Sequence, residues 1–301
     1  SGPYARLKLV MDYWCSLWFW PIEKAELLPT RDEFLFDLSL ILEGDIFNID
    51  EEIEQLRLFN NGVNIQVKIN DITDNLGKVN LDKLCSRIPR LEIVKELSIN
   101  HKFLHWELEF TDIFEDKEGF DLILGNPPWL KLGWEEKGIL GDINPKIMIR
   151  NLTAKQTLEI RDSILEENDK SKMSYIEEYE SISSTQAFIG SITNYKDLIG
   201  TQPNLYKCFL PQAWMLSNMN GISSFIHPEG VYEDTNGRKL RETLNKKLIM
   251  HFQFRNEKKL FDIGNTRTYS LNVYSNRESK GYISISNLFT PTTIDECFEL
   301  N

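Results

Sequence analysis

The apolar and polar positions along the 301-residue chain fall into two textures. Over the first hundred residues the spacing is helical. Residues 4–20, YARLKLVMDYWCSLWFW, put Leu7, Val10, Met11, Trp14, Leu17 and Trp18 near one stripe. That stripe predicts an aromatic-rich, core-facing helix stopped by Pro21. Thr30 followed by Glu33 has the form of a capping box and predicts a helix from 31 to about 42. The acidic, mixed stretch 45–100 predicts helices around 50–58 and 80–98, with a short strand at 64–69.

From residue 103 the pattern changes. A short apolar strand is expected at 108–110, then a buried strand at 120–124, FDLIL. A long, charged and mostly helical stretch follows over 131–198. Next come an amphipathic helix (204–218), a strand with a proline stop (220–232), a basic helix (237–248) and strands at 249–254, 268–275 and 282–288. Strands alternating with helices predict an α/β fold with a parallel or mixed sheet. The expected organisation is a mainly helical segment over 1–101, then a domain over 102–301 that carries the helical insertion.

Composition narrows the chemistry. No apolar run approaches the ~18–20 residues of a membrane span, and no signal-peptide pattern opens the chain, so a cytoplasmic location without a membrane partner is expected. Cys15, Cys85, Cys208 and Cys297 are far apart with no CxxC spacing, which suits reduced thiols. His101 and His105 have i, i+4 spacing but lack HExxH or cysteine context, so no metal is expected. The net charge of −12 is the wrong sign for a simple nucleic-acid binder. Residues 237–267 nevertheless hold nine basic and three acidic side chains. Arg238, Lys239, Arg241, Lys246 and Lys247 are therefore candidates for contacting phosphate, although a solvated helix face would have the same composition.

The most informative stretch is GNPPW, residues 125–129, at the end of FDLIL. In open α/β sheets, ligands sit beyond the carboxyl ends of strands. Gly125 permits an unusual backbone angle or a close approach. Pro127 and Pro128 stiffen an extended turn. Such a turn can aim the side-chain oxygen of Asn126 and a neighbouring carbonyl outward, as a pair of acceptors for one NH₂ group. Trp129 adds a flat apolar surface. A tight turn with a core tryptophan would look the same in isolation; the strand leading into it favours a site for a planar ring bearing an exocyclic amine.

GNPPW resembles motif IV, (N/D)PP(Y/F/W), of the amino-methyltransferases that use S-adenosylmethionine. LEFTDIF…GFDLILGNPPW resembles the gamma-type N6-adenine DNA methyltransferases, and more closely the large single-chain methylases of restriction–modification and phage-defence systems (type IIG, BREX-like and DISARM-like). MDYWCSLWFWP with LPTRDEF, NLYKCF, NGISSFIHPEGVY and FRNEKKLFDIGNTRTYSLNVY resemble further segments of those proteins in order, so the resemblance runs from about residue 5 to 275. It implies part of a Rossmann-like class I methyltransferase sheet with helical additions. It implies that the Asn126 side chain and the Pro127 carbonyl accept hydrogen bonds from the adenine amine, and that Trp129 stacks on a base flipped from double-stranded DNA. Pro128 and Phe261 would complete the base pocket. Asp112 and Ile113 would contact the adenine end of S-adenosyl-L-methionine.

One element of that family is missing. No FxGxG motif follows a strand; LEGD at 42–45 and the segment around Gly62 lack strand context. The chain therefore reads as a fragment, the helical insertion plus the second half of a catalytic domain, whose partners include the remaining domains of a larger methylase and which is expected to be inactive alone. Two other readings stay open: an amino-methyltransferase for protein glutamine or RNA, and a non-catalytic scaffold or recognition module.

Overall fold

The computed structural model describes residues 2–43, 80–166 and 168–299. The helix expected at 50–58 and the strand expected at 64–69 lie outside these residues. The chain divides into two compact units, Ser1–Phe110 and Thr111–Asn301.

In the first unit, α1 (Pro3–Ser16) begins with proline at its first turn, where a missing N–H costs nothing. It ends before the expected position, and the buried stripe is rotated from the expected one. Tyr13 is fully buried among Ile41, Leu84 and Leu91, whereas Leu7 and Trp14 are exposed. The reason is polar. Asp12 and Ser16 share the inward face, where Asp12 accepts from Lys8 (2.8 Å) and Ser98 (2.7 Å) and pairs with His105 Nε2 (2.7 Å). Helix α2 (Arg31–Glu43) carries the expected box: the Thr30 N–H donates to Glu33 Oε2 (2.8 Å), and the Glu33 N–H donates back to Thr30 Oγ1 (3.3 Å). The helix expected over 80–98 is two helices, α3 (Leu81–Arg87) and α4 (Pro89–His101), broken at Ile88 because Pro89 cannot continue a helix. Asp37 and Arg90 are buried together, with Tyr13 donating to the same carboxylate (2.8 Å). This satisfies charges that would be costly alone. Residues 108–110 do not form the expected strand. Leu108 lies in the short helix α5 (Trp106–Glu109), whose Trp106 stacks on Phe110 at i, i+4.

The second unit begins with α6 (Thr111–Lys117) and holds a five-stranded sheet: β1 (Phe120–Gly125), β2 (Ser217–Pro228), β3 (Leu248–Arg255), β4 (Thr268–Ser275) and β5 (Ile283–Leu288). The spatial order is β1-β2-β4-β3-β5, with β4 antiparallel to both of its neighbours and the β1–β2 and β3–β5 pairs parallel. The fold is thus mixed α/β. Between β1 and β2 run α7 (Glu136–Ile143), α8 (Lys146–Ile149), α9 (Ala154–Glu166) and α10 (Asp169–Gly190), the expected helical insertion, then α11 (Leu205–Leu216). After β2 come α12 (Gly230–Glu233) and α13 (Arg238–Lys247), and α14 (Thr292–Glu299) follows β5.

One face of the sheet is covered by α11 and α13: Tyr206, Leu210, Trp214, Leu240 and Leu244 form a core with Phe225 and Tyr274. The other face is aromatic, with Phe252, Phe254 and Tyr269 packed against Trp129, Phe261 and Ile294. FDLIL is a strand but not the buried one expected. Among the described residues it pairs with β2, and Leu122 and Leu124 are 56% and 67% exposed. Ile123, on the opposite face, is the side chain of the three that joins the core.

Candidate active site

The parallel strands β1, β2, β3 and β5 end at one edge of the sheet, and GNPPW leaves β1 there. Gly125 is needed for close approach rather than for an unusual angle: a Cβ there would lie 3.1 Å from the Phe225 ring. The neighbouring turn into β1 uses Gly119 at φ 133°, where a side chain would strike the Leu216 carbonyl.

Beyond Gly125 the side chains divide sharply. Pro127 is buried, whereas Asn126 and Pro128 are exposed. The buried proline anchors a turn that holds Asn126 outward. Trp129 is half-buried, and its indole N–H donates to the Ile226 carbonyl of β2 (3.2 Å). The strap after it is also tied down: Leu205 N–H donates to Leu130 O (2.9 Å), and Leu132 N–H to Pro203 O (3.2 Å). Pro127, Trp129 and the strap after it are thus fixed to neighbouring backbone or core, whereas the Asn126 side chain is exposed. An exposed amide on a fixed backbone can offer an acceptor without reorganising, which is the requirement for electrostatic preorganisation.

Trp129 and Phe261 come together, but as direct neighbours. Their ring centroids are 5.4 Å apart and tilted by 40°. A planar base held between two aromatic faces needs roughly 7 Å, two van der Waals contacts of ~3.5 Å. In this arrangement the two rings form one continuous wall. Tyr269, which the sequence pattern did not single out, completes it at 5.9 Å from Trp129 and 4.7 Å from Phe261. Its alternation with Ser270 on β4 is the signal that could have found it.

Asp112 is exposed in the first turn of α6, and Ile113 beside it is half-buried. No strand leads into them. An exposed carboxylate can accept a hydrogen bond from an amine, and a half-buried aliphatic side chain can pack on a flat ring. Among the described residues no glycine-rich turn accompanies them. The basic helix also divides. Arg238 pairs with Glu242 (2.7 Å) and Lys239 is exposed, both at the start of α13. Arg241 is half-buried with a guanidinium nitrogen, Nη1, that has no hydrogen-bond partner among the described residues. Lys246 and Lys247 end α13 where β3 begins, at the edge of the sheet opposite Asn126. Lys247 donates to Asn276 Oδ1 (2.7 Å) and lies over the Trp214 ring, and burial pulls its ammonium below the usual lysine range.

Behind the site, on the helix-covered face, lies a polar cluster that the sequence did not reveal. His227 is fully buried, with Nδ1 donating to the Pro228 carbonyl (2.9 Å) and Nε2 accepting from Tyr274 (2.8 Å) and Asn272 (3.0 Å). Burial holds its pKa down to about 4. Glu229 pairs with His251 (3.2 Å) and accepts from Gln253 (3.1 Å). Burial alone would raise the Glu229 carboxyl; its bonds to His251, Ser270 and Gln253 outweigh that and keep it below the usual range. Among the described residues no group of three His, Cys, Asp or Glu could hold a metal ion, and no helix is long and apolar enough to cross a membrane.

Residues 13–136, which contain β1 and the whole of GNPPW, match the Eco57I restriction-modification methylase family. The matched segment is less than half of the chain, and it carries a methylase signature. No curated protein matches the chain. Among solved structures, a putative class I S-adenosylmethionine-dependent methyltransferase from Listeria monocytogenes is similar over 99% of this chain and 98% of that one, at 9% identity and a TM-score of 0.32. That likeness is too low to carry an argument.

Proposed function

We propose that this chain holds the target amine in a DNA methyltransferase that modifies N6 of adenine within a restriction–modification or phage-defence system. The observation that carries the reading is the GNPPW turn: Asn126 exposed and Pro127 buried at the carboxyl end of β1, with Trp129 tied to β2, all inside a segment that matches a methylase family. The cofactor is S-adenosylmethionine, which supplies an electrophilic methyl group when bound. Asn126 Oδ1 and the Pro127 carbonyl accept the two hydrogens of the adenine amine. Those bonds turn the nitrogen lone pair out of ring conjugation, so orientation and electrostatics suffice and no strong base is needed.

Trp129 supplies the stacking surface for a flipped base. An aromatic–base stack contributes about 1–3 kcal/mol, comparable to the few kcal/mol lost on unstacking the target. Pro128 and Phe261 border the base, and Phe261 must turn away from Trp129 if it is to cover the second face. Asp112 and Ile113 meet the adenine end of the cofactor. Arg238, Lys239 and Arg241 are the phosphate contacts favoured by position; Lys246 and Lys247 are disfavoured, since their end of α13 lies away from the site.

The test is transfer of labelled methyl from S-adenosylmethionine to adenine in double-stranded DNA by the full-length protein. Asn126→Ala is expected to lower the rate by ~10²–10³-fold, as loss of one preorganised polar group does elsewhere. It should leave the melting temperature unchanged, because the side chain is exposed. Transfer to RNA or protein instead of DNA, or an Asn126→Ala variant that keeps its full rate, would overturn the assignment.

A further inference from the structure

Phe261 lies in a loop between β3 and β4 that rests on the aromatic layer through Phe261 and Ile263, while Leu260, Lys258 and Lys259 are exposed. The backbone of that loop is held by one buried side chain. Asn256 is 0% exposed, and all of its polar groups are directed at this loop and its closure. Its Nδ2 donates to Phe261 O (2.9 Å) and Ile263 O (2.9 Å), and its Oδ1 accepts from the Phe261 N–H (3.1 Å). Its own N–H donates to Arg267 O (3.1 Å), and its carbonyl accepts from Lys259 N–H (2.9 Å), with Lys259 turned to φ 50°. The bonds fix the orientation of the amide, since only its nitrogen can donate to two carbonyls and only its oxygen can accept from an N–H.

We infer that Asn256 is the positioning residue for the aromatic ring beside the base pocket: it clamps both backbone polar groups of Phe261 and so sets where that ring stands against Trp129. The inference rests on the adenine methyltransferase reading for its consequence, though not for its geometry. With N–H and C=O of Phe261 both held, the freedom left to this residue is rotation of the ring about its side-chain bonds. A base entering beside Trp129 therefore displaces a ring and not a loop. A glycine hinge would have the opposite design. Asn256 contacts no candidate substrate atom; it acts only through Phe261.

The experiment has two readouts in the full-length protein. Amide hydrogen exchange at Phe261 is expected to quicken at least about 10-fold in Asn256→Ala while strand β4 stays protected, because the acceptor for that N–H is lost. Asn256→Asp, which keeps the acceptor and loses both donors, should retain protection at Phe261 N–H. For function, Asn256→Ala should slow methyl transfer roughly 10- to 100-fold, as misplacement of a contacting group does, with cofactor affinity unchanged. In Phe261→Ala the same asparagine substitution should then add little, since the two act as one unit. Unchanged exchange at Phe261, or fully additive losses in the double variant, would overturn the inference. A wild-type enzyme that methylates no adenine, with Phe261 exchange still dependent on Asn256, would overturn the methyltransferase reading while leaving Asn256 as the clamp.

Discussion

Near GNPPW the two faces of the sheet solve the same problem by opposite means. Adjacent residues of β4 go to opposite sides: Tyr269 joins Phe254 and Trp129 in an aromatic layer, while Ser270 joins Gln253, Glu229 and Asn272 in a hydrogen-bonded one. Both layers reach the edge where GNPPW sits. The aromatic layer reaches it directly, because Trp129 is one of its members. The polar layer reaches it through backbone: His227 donates to Pro228 O, and Ile226, one residue earlier, receives the Trp129 indole N–H. An apolar layer tolerates small shifts and is stabilised in proportion to area, whereas a buried polar layer is stabilised only when every member is satisfied. The wall beside GNPPW is thus made of packed rings, and the strand ends next to it are held by directional bonds.

The comparison breaks most severely on the aromatic side. Phe254 is buried and stacks on Tyr269 at 5.5 Å with the rings nearly parallel. Phe254→Ala leaves a cavity under the Trp129–Phe261–Tyr269 wall and is expected to cost about 3–5 kcal/mol. Urea unfolding followed at Tyr and Trp fluorescence measures it. A loss below 1 kcal/mol would mean that the aromatic layer is not the support described.

The polar side is broken by acid. His227 is neutral when folded, with a pKa of about 4 against an ordinary value of 6.5. A depressed histidine pKa means that the unfolded chain binds the extra proton first. Stability is therefore whole above about pH 6.5, falls as pH drops from there toward 4, and levels off below. The full loss is about 3 kcal/mol, at 1.36 kcal/mol per unit. Glu229, whose carboxyl is depressed, contributes its own loss only as pH falls below its usual value of 4.5 and on through its folded pKa, mostly under this window. The check is urea unfolding from pH 7.5 to 4 for wild type and His227→Gln; equal slopes in the two proteins would exclude His227 as the source.

The contrast also explains what was legible in the sequence. The strands of the second unit and helices α11 and α13 followed from alternation and turn residues, and the capping box of Thr30 and Glu33 stands as read, because these signals are local. GNPPW was readable as a strand-end turn for the same reason. Three things were not. FDLIL has the composition of a core strand, and composition does not say which of its side chains the fold covers: Leu122 and Leu124 are exposed and Ile123 is not. The stripe on α1 was misplaced because Asp12 and Ser16 face inward with partners up to 93 residues away. Leu108 and Glu109 became helix, with Phe110 just past its end, because the Trp106–Phe110 stack supports one turn that a three-residue window cannot show. At the site, Asn126 and Trp129 could be picked out from adjacent residues, whereas Asn256 and the His227 cluster depend on pairings across strands that no spacing rule encodes.

The finest test separates a hydrogen bond from the burial around it. Tyr274 is completely buried, and its hydroxyl donates to His227 Nε2 at 2.8 Å. Tyr274→Phe keeps the ring and removes the donor, leaving Asn272 as the second donor to the same nitrogen. The expected cost at pH 7.5 is about 1–2 kcal/mol, the range for one buried neutral hydrogen bond. Burial is the main cause of the low pKa of His227, and the bond from Tyr274 adds to it by favouring the neutral imidazole, so its loss is expected to raise that pKa above about 4. A smaller gap between folded and unfolded pKa means less stability lost on acidification. The variant should therefore be less stable than wild type at pH 7.5 and closer to it at pH 4.5, with the two urea midpoints converging as pH falls. A constant difference across that range would show that Tyr274 contributes packing alone, and the polar face would then be held by Asn272 and the Glu229 cluster.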